Sequence, residues 1–124
     1  MRVITMEWIT RQTLRDNPDK AFLFGDNLDQ RGMKGQAKEM RGEPNAFGIP
    51  TKKHPSMGKY AFFDDRDFQY YTWHIDRAFN KLKESGFDTV VIPEAGLGGG
   101  LAELDQRAPL VFEYLNEQIA KLSE

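Results

Sequence analysis

A single α/β layered domain is the architecture this sequence predicts, and three observations predict it. Short apolar runs alternate along the chain with segments of helical periodicity. The run "DTVVIP" at 88–93 is continuously apolar, as a strand buried on both faces of a parallel sheet would be. Two strand-like runs, 21–27 and 88–93, each lead through a glycine-rich loop into a helix. At 124 residues, with 40% hydrophobic and 29% charged side chains, the chain has the size and composition of one globular domain spanning 1–124.

The elements follow in order. "RVIT" at 2–5 is a short edge strand, and Thr10 is placed to cap a helix over 11–15. "AFLFGDN" at 21–27 is an apolar strand ending in a glycine and two polar residues. Residues 28–42 read as a loop and one or two helical turns, closed by Gly42. "NAFGIPTKK" at 45–53 is a strand that Pro50 confines to an edge or a strand end. "KYAFFDD" at 59–65 predicts a further extended run. From Asp67 to Glu84, the apolar residues Phe68, Tyr71, Ile75, Ala78, Phe79 and Leu82 recur at three- and four-residue steps, so a helix is expected, stopped by Gly86. After the 88–93 strand, 105–121 predicts one helix with Ala108, Val111, Phe112, Leu115 and Ile119 on a stripe and Pro109 in its first turn.

Composition narrows the chemistry. There is no cysteine, which removes disulfides, thiolate metal sites and cysteine nucleophiles. His54 and His74 are the only histidines, so a three-histidine metal site is impossible. The formal charge of −2 gives no global field for nucleic acid or an acidic membrane, and strong general nucleic-acid affinity is not expected. No stretch has the length of a membrane span and the N-terminus lacks a secretory pattern, so the expected location is the cytoplasm. Neither a cofactor nor a metal is called for.

The densest signal is "VVIPEAGLGGGLAEL" at 90–104. Glycine costs roughly 0.5–1 kcal/mol per ordered position relative to alanine. Gly96, Gly98, Gly99 and Gly100 together therefore need a reason. Either the backbone path requires positive φ, or a ligand must approach the main chain. The loop "GDNLDQRGMKGQA" after the 21–27 strand repeats the arrangement. Ligands of open α/β sheets bind beyond the carboxyl ends of strands, and exposed amides in such loops suit anions. Two loops at one sheet edge suit a diphosphate, though neither matches the P-loop or dinucleotide fingerprint.

On these residues the chain resembles the macrodomains, α/β modules that bind ADP-ribose. "FGDNLDQRGMKGQAKEM" is similar to their first strand, loop and helix, and "VVIPEAGLGGGLAELDQRAP" to their second phosphate loop. "FGIPTKK" resembles the strand ending in Thr-Lys of the compact branch that includes the terminal ADP-ribose–protein glycohydrolase and related bacterial and phage proteins. The likeness covers roughly residues 20–120. It implies a compact mixed sheet flanked by helices, with ADP-ribose or a related nucleotide as ligand and an ADP-ribosylated macromolecule as a partner. Asp26 and Asn27 would meet the adenosine or the distal ribose. Gly32, Lys34, Gly35 and Gln36 would line the first loop, and Gly96, Leu97, Gly98, Gly99, Gly100 and Leu101 the second. Lys52 matches the lysine that attacks the anomeric carbon in the glycohydrolase branch. There an acidic residue directly follows the loop's leucine; here Ala102 does, and Glu103 comes one position later.

The chemistry implied is hydrolysis of an ADP-ribosyl linkage, with Lys52 as nucleophile, Asn27 beside it, and Glu103 or Glu94 as acid or base. Lysine attacks only as the neutral amine, which burial and nearby cations favour. Alternatively Lys52 and Lys34 stay charged and pair with phosphate, giving a non-catalytic sensor or sponge of an ADP-ribose-derived signal nucleotide. A third reading is an unrelated nucleotide-handling α/β domain whose glycines serve packing. Elsewhere the structural role is favoured: Arg41 and Glu43 as salt links, His54 and the Asp64–Asp65–Asp67 cluster as solvated surface, and His74 on a helix surface. Tyr70 or Trp73 could stack on adenine.

Overall fold

The computed structural model describes residues 1–124. β1 (Arg2–Met6), β2 (Ala21–Asn27), β3 (Ala46–Lys52) and β4 (Thr89–Pro93) form one sheet in the order β1-β4-β2-β3. Every pairing is parallel, so the expected mixed sheet is corrected to a parallel one. The connections explain it. α1 (Arg11–Asp16), α2 (Gln36–Met40) and α3 (Phe68–Glu84) each carry the chain back across the sheet before the next strand begins.

Strand residues alternate between two cores. Phe22 and Phe24 of β2 and Val91 of β4 pack with Ile9, Leu14, Ala37 and Met40 on the α1 and α2 side. Ala21, Leu23, Val90 and Ile92 face the larger cluster, with Ile75, Phe79 and Leu82 of α3 and Val111 and Leu115 of α5 (Pro109–Lys121). With helices on both faces, a two-residue period places apolar side chains at every position, which is why these central strands read as unbroken hydrophobic runs.

Local signals set most boundaries. The Thr10 hydroxyl accepts the Thr13 N–H (3.2 Å), and Thr13 returns the bond to the Thr10 N–H (3.4 Å), capping α1. Gly86, at φ +88°, follows the end of α3. Two expectations need correction. Residues 59–65 do not form a strand; Lys59–Ala61 make a 3-10 turn, and Phe62 forms only an isolated bridge to Lys52. Ala61, Phe62 and Phe63 are buried as a plug, with Phe63 stacked on Tyr71 (centroids 3.9 Å apart). The single helix expected over 105–121 is two, α4 (Leu104–Arg107) and α5, because Pro109 drives Ala108 out of the helical region to φ −145°, ψ 67°. Asp65 supplies the cap that Ala108 lacks, accepting the N–H groups of Leu110 (3.1 Å) and Val111 (3.2 Å). Asp64 accepts from Arg66 and Asp67, so this acidic cluster is capping structure.

The sheet opens where the two glycine loops begin. β2 and β4 are neighbours, yet they pair only at Ala21↔Val90 and Phe22↔Val91. Their carboxyl-terminal halves separate, leaving a crevice at a central sheet edge, the place where parallel α/β sheets hold ligands.

Candidate functional site

The crevice is a two-lobed cleft. Its outer lobe, about 660 Å³, runs along the whole 96–102 loop and past Lys34, Gly35 and Gln36 of the first loop. Its inner lobe, about 230 Å³, reaches Asn27, Gly32, Lys34, Arg41 and Lys52. Gly25, Lys34, Thr51, Leu101 and Ala102 line both, forming the waist between them. The two loops therefore converge, and Gly98 N lies 3.9 Å from the position of a Cβ on Gly25.

The glycines divide into two kinds. Gly96 and Gly98 sit at φ +80° and +88°, which the turn itself requires. Gly99 and Gly100 need no positive φ, and a Cβ on either would meet nothing within 4 Å. Their backbone geometry does not demand glycine, whereas close approach by a ligand would. The N–H groups of Gly98, Gly99, Gly100 and Leu101 have no acceptor in the protein, and neither do those of Met33, Lys34 and Gly35. The loop is held by its carbonyls instead: Gly98 O accepts from Leu104 N–H (2.7 Å), and Gly99 O from Glu103 N–H (3.0 Å). Both cleft-lining loops thus carry main-chain donors without an acceptor in the protein, the kind of group with which backbone nests receive anions.

The inner lobe is cationic. Lys52 is 7% exposed, its Nζ donating to Met57 Sδ (3.3 Å) and lying 4.8 Å from the Phe62 ring centre. A thioether is a weak acceptor, so the ammonium has no carboxylate partner. Burial pushes the Lys52 pKa down; the Glu103 charge opposes this, and Lys34 and Arg107 reinforce it. Asn27, beside it, is buried with its Nδ2 donating to Arg31 O (2.7 Å), while its Oδ1 is buried without a partner.

Three expected site residues have structural employment. Asp26 is gripped by Arg41 through Nη2 to Oδ1 (2.6 Å) and Nη1 to Oδ2 (3.2 Å), and also accepts the Asn27 N–H (2.8 Å). The same guanidinium donates to Gly32 O (2.9 Å), so it ties the first loop to β2. Gln36 uses both ends of its carboxamide on Ile9, accepting the N–H (2.9 Å) and donating to the C=O (2.7 Å). Glu103, at φ +48°, accepts from Arg107 Nε (2.9 Å) and lines neither lobe, whereas Ala102 lines both. The acidic position adjoining the loop's leucine is thus a methyl group in the cleft wall. Glu43 pairs with Arg15 (2.7 Å) and Arg11 (3.4 Å), and His54 with Asp29 (2.9 Å). Trp73 and His74 line a separate groove beside β3 and not the cleft.

Glu94, one of the two expected acid–base candidates, lines the outer lobe, and Glu7, Trp8, Arg31 and Met57 line the cleft without having been expected there. A signal existed for Glu7 and Trp8. They follow the 2–5 strand, and in a parallel sheet every strand ends at the same rim. Met57 carried no such mark.

Arg41→Ala would strand the nearly buried Asp26 carboxylate and release Gly32 O. It is expected to lower unfolding free energy by about 2–3 kcal/mol, as breaking a largely buried pair does, with Asp26→Asn and Arg41→Ala together costing less than the sum. Urea titration of the single and double variants measures this; additive losses would mean the two side chains do not act as a pair.

Residues 4–118 match a family described as a family of unknown function (DUF7831), and the chain belongs to that family. No curated protein and no solved structure matches it.

Proposed function

We propose that this member of the DUF7831 family is macrodomain-like in its binding chemistry and takes ADP-ribose or a related nucleoside diphosphate ribose into the two-lobed cleft. The observation that carries the reading is the pair Gly99 and Gly100, glycines without positive φ, with free amides and open space before them. In this reading the pyrophosphate lies at the waist, against the 98–101 and 33–35 amides and Lys34. The terminal ribose enters the inner lobe beside Asn27 and Lys52. A lobe of about 230 Å³ suits one sugar ring.

One observation favours a second reading, hydrolysis of an ADP-ribosyl bond. Lys52 sits in the inner lobe with its pKa lowered by burial, which outweighs the opposing charge of Glu103, and with no carboxylate in ion-pair contact. A neutral amine there could attack the ribose anomeric carbon. Glu103, bound to Arg107, would have to release it to serve as proton donor.

The test is titration followed by calorimetry and by amide chemical shifts. ADP-ribose is expected to give saturable heat and to move the resonances of Gly98, Gly99, Gly100 and Lys34, with AMP weaker because it lacks the second phosphate and the ribose. Absence of both heat and shifts at high ligand concentration would remove the reading.

A further inference from the structure

We propose that Trp8 is the stacking platform for the base of the bound nucleotide, and that Glu7 and Glu94, which line the same lobe, select a purine with an amine at C6. This rests on the nucleotide reading above and extends it to the base.

Trp8 is 60% exposed, belongs to neither apolar core, and forms part of the outer lobe's wall. An exposed indole on a mobile segment would mean little, but this one is anchored. Its neighbour Ile9 is fully buried, and the Gln36 carboxamide holds both polar groups of the Ile9 backbone. Gln36 is thus a positioning residue. It fixes the indole-bearing segment to the first glycine loop, setting the distance between ring and phosphate donors.

The lobe carries charge of both signs. Met6 pairs with Pro93 in the sheet, and Glu94 N–H donates to Met6 O (2.7 Å), so the chain segments carrying Glu7 and Glu94 leave the sheet as neighbours. Both residues line the outer lobe together with Trp8, and Lys34 and the 96–100 glycines line it as well. A ligand filling the lobe should therefore combine negative charge with a flat ring bearing N–H donors. Adenine presents its C6 amine to a carboxylate; hypoxanthine and guanine carry a carbonyl at C6, which a carboxylate repels. Stacking on the indole is indifferent to the base, so the acidic pair supplies the discrimination.

The experiment is calorimetry of wild type, Trp8→Ala, Trp8→Phe and a Glu7→Ala/Glu94→Ala double variant with ADP-ribose, inosine diphosphate ribose and ribose 5-phosphate. Trp8→Ala is expected to weaken ADP-ribose about 5- to 100-fold, as loss of one stacked base does. Trp8→Phe should restore most of this, and ribose 5-phosphate should be unaffected by either. Wild type should favour ADP-ribose over the inosine analogue by about 10-fold, the scale of a hydrogen bond to a charged acceptor, and the double variant should lose that preference. If Trp8→Ala, folded by circular dichroism, binds ADP-ribose as wild type does, the platform is refuted while the phosphate loops stand. Equal wild-type affinity for the two bases refutes the amine selection. Failure of wild type to bind any of the three takes down the nucleotide reading and this extension together.

Discussion

Gly99→Glu is expected to abolish nucleotide binding while leaving the fold intact. A side chain at Gly99 meets nothing within 4 Å and the backbone there needs no positive φ, so the substitution adds no clash and no strain. It places a carboxylate among the donors of Gly98, Gly100 and Leu101, where the pyrophosphate would lie. Like-charge repulsion in a partly water-excluded cleft, with the physical obstruction, should reduce affinity by more than about 100-fold. Thermal unfolding should shift little, since surface substitutions away from packed contacts usually change stability by under about 0.5 kcal/mol. Gly98→Ala is the contrasting control. Gly98 has φ +88°, and its added Cβ would stand 2.9 Å from Leu104 Cδ2 and 3.2 Å from Leu104 Cβ. Leu104 is fully buried at the start of α4, so it has little room to yield. Gly98→Ala should cost about 1–3 kcal/mol through backbone strain and overpacking. Unchanged ADP-ribose affinity in Gly99→Glu would mean that this loop meets no anion.

The contrast between these glycines marks how far the sequence could be read. Its density of glycine pointed to the loop, but only backbone angles separate the positions that the turn needs from those left open. Period and capping chemistry were legible wherever one element decided its own geometry. Thr10, Gly86 and the apolar runs of β2 and β4 act locally or through a face pattern that survives in one dimension. Failures arose where a distant element decided. The 59–65 run has strand-like composition, yet its aromatic residues fill a hole against α3, where Tyr71 takes Phe63. The break at Ala108 was announced by Pro109, but the stripe through Ala108 continued across it. At the site, Lys52, Asn27 and both loops come together as expected, whereas Asp26 and the Gln36 side chain are held by Arg41 and Ile9. Those partners lie 15 and 27 residues away, and no spacing rule reports them.

If the chain is also a hydrolase, Lys52→Ala and Lys52→Arg will separate the lysine's two roles. Arginine keeps a cation that never becomes a neutral amine at accessible pH, so it can pair with phosphate but cannot attack carbon. Both variants are expected to lose release of ADP-ribose from a modified protein by about 10³-fold or more, the scale of removing a covalent nucleophile, while Lys52→Arg retains ligand binding. The pH dependence follows from the direction of the shift. Burial lowers the Lys52 pKa, so the rate should rise with pH and level off below the ordinary lysine range. The same shift has a stability sign. The folded chain disfavours the proton relative to the unfolded one, so the charged lysine weakens the fold at every pH below its folded pKa. That penalty fades as pH rises from the folded value toward the unfolded one. Lys52→Met, similar in length and uncharged, should therefore raise the unfolding midpoint at neutral pH, by an amount that shrinks in alkaline buffer. A Lys52→Arg protein that still releases ADP-ribose at the wild-type rate would show that the lysine is only a phosphate partner. A Lys52→Met protein less stable at neutral pH would show that the Met57 and Phe62 contacts outweigh the cost of burying the charge.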